Sequence, residues 1–296
     1  MTVAIAPLHP VFVGEVSGVD ISRPLDAAAV AAIEAGMDRY AVLVFHDQAL
    51  TDEQQIRFGR YFGELEGNIA GSMTKEGEHR ITPLLADVSN LDRNNERRAR
   101  DDMRRLYSLG NRLWHSDASF RAIGAKYSML SARVVPSQGG NTEFADMRAA
   151  YDALDDAARA EVDDLLTEHS IAFSRAELGF TDFGEHAGLT APVRHRLVRT
   201  HPVTGRKSLY LSAHIGGIIG WPLPEARAFL RDLTEAATQR RFVYSHPWRV
   251  NDLVIWDNRT TMHRATRYDD LNEKRDMRRT TIKGEAMTAP QVSDAA

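Results

Sequence analysis

Cysteine is absent from all 296 residues. That removes disulfide frameworks, zinc fingers, iron–sulfur ligation and thiol nucleophiles from consideration. Long apolar runs are also missing, and none approaches the length of a membrane span. There is no strong charge excess: 37 Lys and Arg stand against 41 Asp and Glu, a net charge of −4. Such a balance does not suit a protein that coats nucleic acid or a membrane surface. Neither GxGxxG nor GxxxxGK(S/T) occurs, so nucleotide phosphates find no cradle. The first ten residues carry neither a basic n-region nor a continuous apolar h-region, and a secretory signal is not expected. Internal repeats and low-complexity tracts are lacking. With 43% hydrophobic and 26% charged residues, the composition is that of an ordinary globular protein. The expectation is a cytoplasmic enzyme, and any metal it holds must be held by His, Asp or Glu.

The apolar pattern places the elements. Asp26 to Tyr40 carries Val30, Ile33 and Met37 at helical spacing, and Ala41 to Phe45 reads as a buried strand. Thr51-x-x-Gln54 matches a capping box, with Gly63 as the expected stop. Residues 67 to 105 show little periodicity and end in a dense Arg run, so they read as surface loops. The long loops 67–105 and 174–192 are candidate active-site lids. Lys126 to Val135 and Asn141 to Asp146 are strand candidates on either side of the turn Pro136 to Gly140. Met147 to Glu168 reads as two helical segments, and Leu223 to Gln239 as one helix. Pro202 to Gly205 reads as a hairpin turn. Three β runs close the chain: Phe242 to Val250, Leu253 to Asp257 and Arg275 to Lys283. A single catalytic domain over 1–296 is expected, with 284–296 as a flexible tail. Strands dominate the second half, which suits a mainly β fold with inserted helices, a sandwich or jelly roll.

The most informative segment is Trp114-His115-Ser116-Asp117. On a strand, i and i+2 side chains share a face, so His115 and Asp117 can aim at one point. Chance alone supplies about one His-x-Asp triplet in a chain of this composition, so the pair needs company. His263, just past the strand 253–257, offers a third ligand. Two His and one carboxylate on one face of a metal leave positions open for a chelating co-substrate and O2, the facial triad of non-haem Fe(II) oxygenases. Arg275 and Arg279 are four residues apart and would face one side of a strand, where each guanidinium would need an anion. Thr142, after the Gly139-Gly140 turn, offers a hydroxyl to a carboxylate. Taken singly, each of these has a blander reading: a structural histidine, a basic edge strand, a β-favouring threonine.

Together the pieces resemble the taurine dioxygenase / 2,4-dichlorophenoxyacetate dioxygenase (TauD/TfdA) family of Fe(II)/2-oxoglutarate oxygenases. The resemblance covers nearly the whole chain and is densest in LWHSDASF, SARVVPSQGGNTEFADMRAAYDAL, RTHPVTGRKSLY and DLVIWDNRTTMHRATRYD. Within the family it is strongest to members that cleave phenoxyacetate herbicides. It implies a double-stranded β-helix (jelly roll) core and commonly a homo-oligomer. It implies that His115, Asp117 and His263 hold Fe(II), and that Thr142 and Arg275 bind the distal carboxylate of 2-oxoglutarate. Arg279 would bind the carboxylate of the prime substrate, with Asn111, His214, Ile69 and Ser72 as further candidates for contact. The implied reaction consumes O2 and hydroxylates the carbon next to the carboxylate of an aryloxyacetate-type acid, giving a phenol and glyoxylate with succinate and CO2. The same chemistry on a sulfonate such as taurine, or on a cinnamate-like acid, is an alternative. A zinc hydrolase built on the same three ligands and a non-catalytic jelly-roll binding protein are alternatives of other classes. The implied partner is a small carboxylate, with neither nucleic acid nor membrane.

Overall fold

The computed structural model describes residues 2–67, 80–181 and 190–291. Their strands, in chain order, are β1 (Ala4–Pro7), β2 (Gly14–Ser17), β3 (Val42–Phe45), β4 (Ala86–Ser89), β5 (Ala125–Val134), β6 (Thr142–Asp146), β7 (Leu166–His169), β8 (Val193–Arg196), β9 (Val198–Thr200), β10 (Lys207–Leu209), β11 (Ile215–Ile218), β12 (Val243–His246), β13 (Leu253–Asp257), β14 (Thr261–Ala265) and β15 (Asp276–Lys283). Seven form one sheet in the order β1-β2-β3-β13-β5-β15-β4, antiparallel except between β2 and β3. A second sheet, β12-β6-β14, packs against it, and β11-β7-β8 and β9-β10 extend the body. This is a jelly-roll core with inserted helices.

Side-chain parity explains how one sheet can be apolar on both faces. Along β3, Leu43 and Phe45 join Ile33 and Met37 of the helix Ala27–Tyr40 and Phe58 of the helix Asp52–Arg60. Val42 and Val44 point the other way and meet Phe144 of β6. On β13, Leu253 and Ile255 face the helices while Val254 and Trp256 face the second sheet. A strand covered on both sides needs no polar alternation, which is why Ala41 to Phe45 is a continuous apolar run. The same parity puts Met277 of β15 between the sheets and Ile282 under the helices. Odd-numbered positions near 277–281 therefore look into the core, where the site lies. Truncating a side chain such as Phe144, fully buried between the sheets, costs about 3–5 kcal/mol.

Helix boundaries follow local chemistry. Asp26 accepts from the amide of Ala29, and Thr51 and Gln54 form the expected capping box. The second helix ends at Arg60, three residues before Gly63, because Tyr61 and Phe62 tighten into a turn instead. Other expectations need correction. Leu166–His169 is a strand and not the end of a helical segment, since its pairing with β8 and β11 overrides local propensity. His263 sits within strand β14 and not beyond a strand. Part of the 67–105 region is ordered structure: β4 pairs with β15, and a short helix spans Met103–Ser108. The region 174–192 begins inside a helix, Ile171–Ala176. The segments 68–79 and 182–189 lie outside the described residues. The tail is docked as far as Gln291, whose side chain bonds the backbone of Arg194, while Thr288 Oγ1 lies 3.0 Å from His195 Nδ1.

Candidate active site

His115 is joined to His263 by two reciprocal backbone hydrogen bonds of 3.0 and 2.8 Å, an isolated bridge between the His-x-Asp segment and β14. Asp117 lies in the turn that follows, not on a regular strand. Ala118, next to it, has φ +55°, a left-handed conformation that L-residues adopt at a cost of about 1 kcal/mol. The chain turns there, and His115 and Asp117, at i and i+2 where the bridge ends, present their side chains to one point. His115 Nε2 lies 3.9 Å from Asp117 Oδ1, and His263 Nε2 lies 3.6 Å from Asp117 Oδ2. The three ligand atoms all fall within 4.8 Å of one another, in the sole such cluster among the described residues.

Each of the three is held from behind. His115 Nδ1 donates to the Leu113 carbonyl at 2.7 Å. That fixes the tautomer and leaves the Nε2 lone pair aimed at the cluster. The ring of His263 is set by Trp256 and Phe144, with centroids 4.7 and 6.2 Å away. Asp117 accepts from Ser128 Oγ at 2.8 Å, and its amide donates to Asn258 Oδ1 at 3.0 Å. Asn258 in turn donates to Ser128 at 2.9 Å and accepts from Trp256 Nε1 at 3.0 Å. Asn258 is thus the hub behind the carboxylate. Nothing local marks it beyond its place after a strand, and Ser128 reads merely as a polar residue in β5.

Electrostatics suit metal binding. Burial pushes the Asp117 carboxyl upward, but the Arg279 guanidinium beside it and the Ser128 hydroxyl that donates to it favour the ionised form, and the group stands at about 2. Burial lowers His115, His263 and His214 against the opposing pull of Asp117. An ionised carboxylate and two neutral imidazoles are the donor set of the facial triad, so these residues fit Fe(II).

Arg279 forms an ion pair with Asp117 Oδ1. Arg275 does something different. It precedes β15, is 5% exposed, and its Nε has no partner. No carboxylate among the described residues comes within ion-pair range of it. Burial lowers its pKa to about 10, partly offset by Tyr268, so it is charged at neutral pH. Asn90 fixes this stretch, accepting from the Arg275 amide at 2.9 Å and donating to the Asp270 and Glu273 carbonyls. Gly140, at φ +68°, turns the chain beside the stem; a Cβ there would crowd Pro136 Cγ at 2.8 Å and make only ordinary contact with Arg275 Cδ. Thr142 follows on β6, its hydroxyl accepting from Trp248 Nε1 at 3.0 Å and keeping its own proton to donate. A buried cation without an anion among the described residues fits the distal carboxylate of 2-oxoglutarate, to which the Thr142 hydroxyl could also donate its proton.

The ligands open into a cavity. His115, Asp117, Arg279, Asn111 and His214 line it, as do Glu66, Tyr107, Phe120, Ile171, Leu84 and Arg175. Asn111 and His214, candidates for substrate contact, both line this cavity. Ile69 and Ser72 lie outside the described residues. His201 is apart, 3.3 Å from Asp257 and serving that carboxylate. Glu143 turns outward to Arg264 at 2.7 Å, away from Thr142. The Arg97 to Arg105 run does not line the cavity: Arg97 bonds the Leu271 carbonyl and Arg105 pairs with Asp270. Sequence reasoning passed over Arg175, Glu66 and Phe120, which carry no motif.

Comparison with known proteins gives a consistent picture. Residues 4–281 match the family model described as taurine catabolism dioxygenase TauD, TfdA family. The α-ketoglutarate-dependent 2,4-dichlorophenoxyacetate dioxygenase of Cupriavidus pinatubonensis is 44% identical over 288 residues, covering 97% of this chain and 100% of that one. The (S)-phenoxypropionate/α-ketoglutarate-dioxygenase of Sphingobium herbicidovorans is 40% identical, covering 95% of each. A crystal structure of AAD-2 in complex with Mn(II) and N-oxalylglycine superposes with a TM-score of 0.94 at 55% identity, covering 98% of this chain and 100% of that one. No helix among the described residues is long and apolar enough to cross a membrane.

Proposed function

The chain belongs to the TauD, TfdA family, and from that premise we propose that it hydroxylates an aryloxyacetate-type acid such as 2,4-dichlorophenoxyacetate. It is an Fe(II)- and 2-oxoglutarate-dependent dioxygenase. The observation that carries the substrate class is the pair of relatives, 44% and 40% identical over nearly the whole chain, named for phenoxyacetate and phenoxypropionate. The cavity supports it: Phe120, Ile171 and Leu84 offer apolar lining for a ring, and arginines line it as well for an acid.

Fe(II) with 2-oxoglutarate and O2, when bound, supplies the oxidation: 2-oxoglutarate becomes succinate and CO2, and one oxygen atom enters a C–H bond of the prime substrate. The chain supplies position. His115, Asp117 and His263 would hold the metal. Arg275 and the Thr142 hydroxyl would take the distal carboxylate of the co-substrate. Arg279, facing the same interior, is the arginine that the family resemblance gives to the substrate acid, with Asn111 and His214 beside it. Holding that acid directs the adjacent ether methylene toward the metal end, and the apolar wall excludes water from it. Hydroxylation there leaves a hemiacetal, which breaks its ether C–O bond to give a phenol and glyoxylate. The reading extends to a homo-oligomer working in the cytoplasm. A zinc hydrolase and a non-catalytic binding protein are set aside, because the family is one of dioxygenases.

The test is an anaerobic titration of the protein with Fe(II) and 2-oxoglutarate, following the visible metal-to-ligand charge-transfer band. Phenoxyacetates should perturb the band and, with O2 admitted, release phenol. A band perturbed by sulfonates or cinnamates alone, with no phenol formed, would overturn the substrate reading.

A further inference from the structure

The Arg-rich run that the sequence singles out, Arg97 to Arg105, touches neither metal ligands nor cavity. It packs instead on the loop 268–275, which carries Arg275 at its end. Arg97 Nη1 donates to the Leu271 carbonyl at 2.7 Å, and Arg105 Nη2 lies 2.9 Å from Asp270 Oδ2. Arg112 Nη2 approaches the other oxygen of the same carboxylate at 3.7 Å. From the loop, Lys274 Nζ donates to the Asn95 carbonyl at 2.7 Å. The Arg105 and Asp270 side chains are 12% and 14% exposed, so solvent and salt screen their pair less than a surface pair.

The two sides of this contact serve different subsites. Arg105 lies in the helix Met103–Ser108, and Arg112 closes the 3-10 turn Leu109–Arg112. Between them, Tyr107, Ser108, Gly110 and Asn111 line the cavity. None of the residues in that helix is fully buried. A segment without an apolar anchor is placed by its polar ties, and the Asp270 carboxylate takes both flanks of this one. Tyr107 also bears on its ring the guanidinium of Arg175, 4.2 Å from the centroid, which has no carboxylate within ion-pair range among the described residues. The other side of the loop belongs to the co-substrate. Asn90 holds the Asp270 and Glu273 carbonyls and the Arg275 amide. The Glu273 carboxylate accepts from the amide and the hydroxyl of Ser137, in the turn that leads to Thr142. Tyr268 stands in the middle, within electrostatic range of Arg275, Asp270, Arg112 and Arg105.

We propose that Asp270 is a positioning residue that couples the two subsites. A distal carboxylate on Arg275 fixes the loop, and through Asp270 the loop fixes the wall 105–112 against which the prime substrate lies. This rests on the aryloxy-acid reading above and adds a link between its two ligands. A wall already ordered costs the second ligand less conformational entropy, so each ligand tightens the other by the same factor.

Calorimetry on the Mn(II)-loaded protein separates this link from chelation. 2-Oxobutanoate offers the metal the same keto acid as 2-oxoglutarate but has no distal carboxylate. With saturating 2-oxoglutarate the wild type should bind 2,4-dichlorophenoxyacetate about 5- to 20-fold more tightly than with saturating 2-oxobutanoate, within the usual range for coupled sites. Asp270→Asn keeps the size of the side chain and the backbone carbonyl that Asn90 holds. It should bring that ratio close to unity while the affinity for 2-oxoglutarate alone stays largely unchanged, and Asp270→Glu should recover part of the ratio. Arg105→Gln cuts the same pair from the other side and should act alike, carrying the test even if Asp270→Asn does not fold. The double variant should lose no more than either single one. A ratio that keeps its wild-type value in these variants, or that is already unity in the wild type, overturns the coupling and leaves the reaction standing. A wild type that binds no aryloxy acid in either state brings down the reaction reading, and the coupling with it.

Discussion

Two His–Asp–His clusters sit in this protein, made of the same three residue types, and they do opposite things. In one, Asp252 accepts from His46 Nδ1 at 2.6 Å and contacts His246 Nε2 at 3.0 Å, with the Arg249 amide on the same carboxylate at 2.9 Å. Every separation is that of a hydrogen bond, and the cluster is closed. In the other, the separations of 3.9 and 3.6 Å about Asp117 are too long for hydrogen bonds. Its nitrogens are instead oriented from outside, by the Leu113 carbonyl and by ring packing. Ligand atoms that converge without touching one another suit an ion, whereas those that touch are finished. The closed cluster still serves the site at one remove, since Trp248 packs edge-on against His246 and donates to Thr142.

Substitution of the two aspartates is the harshest way to break the contrast. Asp117→Ala should abolish Mn(II) binding, read by calorimetry, and all succinate formation, while the circular dichroism and melting profile stay native. Asp252→Ala should do the reverse: metal binding persists, but the buried His246 and the half-buried His46 lose their acceptor, at about 3 kcal/mol of stability by urea unfolding. Metal loss in the second variant would show that the clusters are not independent. A smaller effect is expected behind the open cluster. Asn258→Ala removes the acceptor for the Asp117 amide and should weaken metal affinity by about 10- to 100-fold. Equal affinity in wild type and variant would mean that the Ser128 hydrogen bond suffices to position the carboxylate.

Acidification sharpens the comparison more gently. Burial lowers His115 and His263 below the ordinary imidazole value of 6.5. The unfolded chain therefore takes up protons below about pH 6.5 that the folded chain refuses, and stability falls as pH drops from there toward the native values. The melting temperature of chelator-treated protein should be level above pH 7 and decline below 6.5. Replacing His263 by a neutral residue that keeps the fold should flatten that decline, and an unchanged slope would move its cause elsewhere.

Much of this was legible in the sequence, and what was not has identifiable physical reasons. The His-x-Asp pair, the distal His and the two arginines stand in local patterns, and the strands 42–45, 125–134 and 253–257 announce themselves by apolar content. Strands β4 and β14 do not. Ala86–Ser89 is short and half-polar and holds together by pairing with β15, while Thr261–Ala265 follows a segment that reads as a turn. The sequence places His115 and Asp117 on a strand or its end, and the pair sits at an isolated bridge with a turn directly after it. Asn258, Ser128 and Arg175 were invisible because nothing local distinguishes a hub, a buried hydroxyl or an unpaired cation from their surface counterparts. Only long-range packing gives each its partner, or withholds it.

The backbone bridge between His115 and His263 has a consequence for how the protein comes into being. Ser116 and Thr261, which flank it, are 145 residues apart in the chain, and the Arg279–Asp117 pair spans 162. Closing loops of that length costs several kcal/mol of chain entropy before the first contact repays it. No fragment ending before β14 can own a site, however well its helices and first strands form. During synthesis the nascent chain stays incapable of chemistry until β14 has emerged, so the ability to load metal reports assembly of the core more faithfully than helical content does.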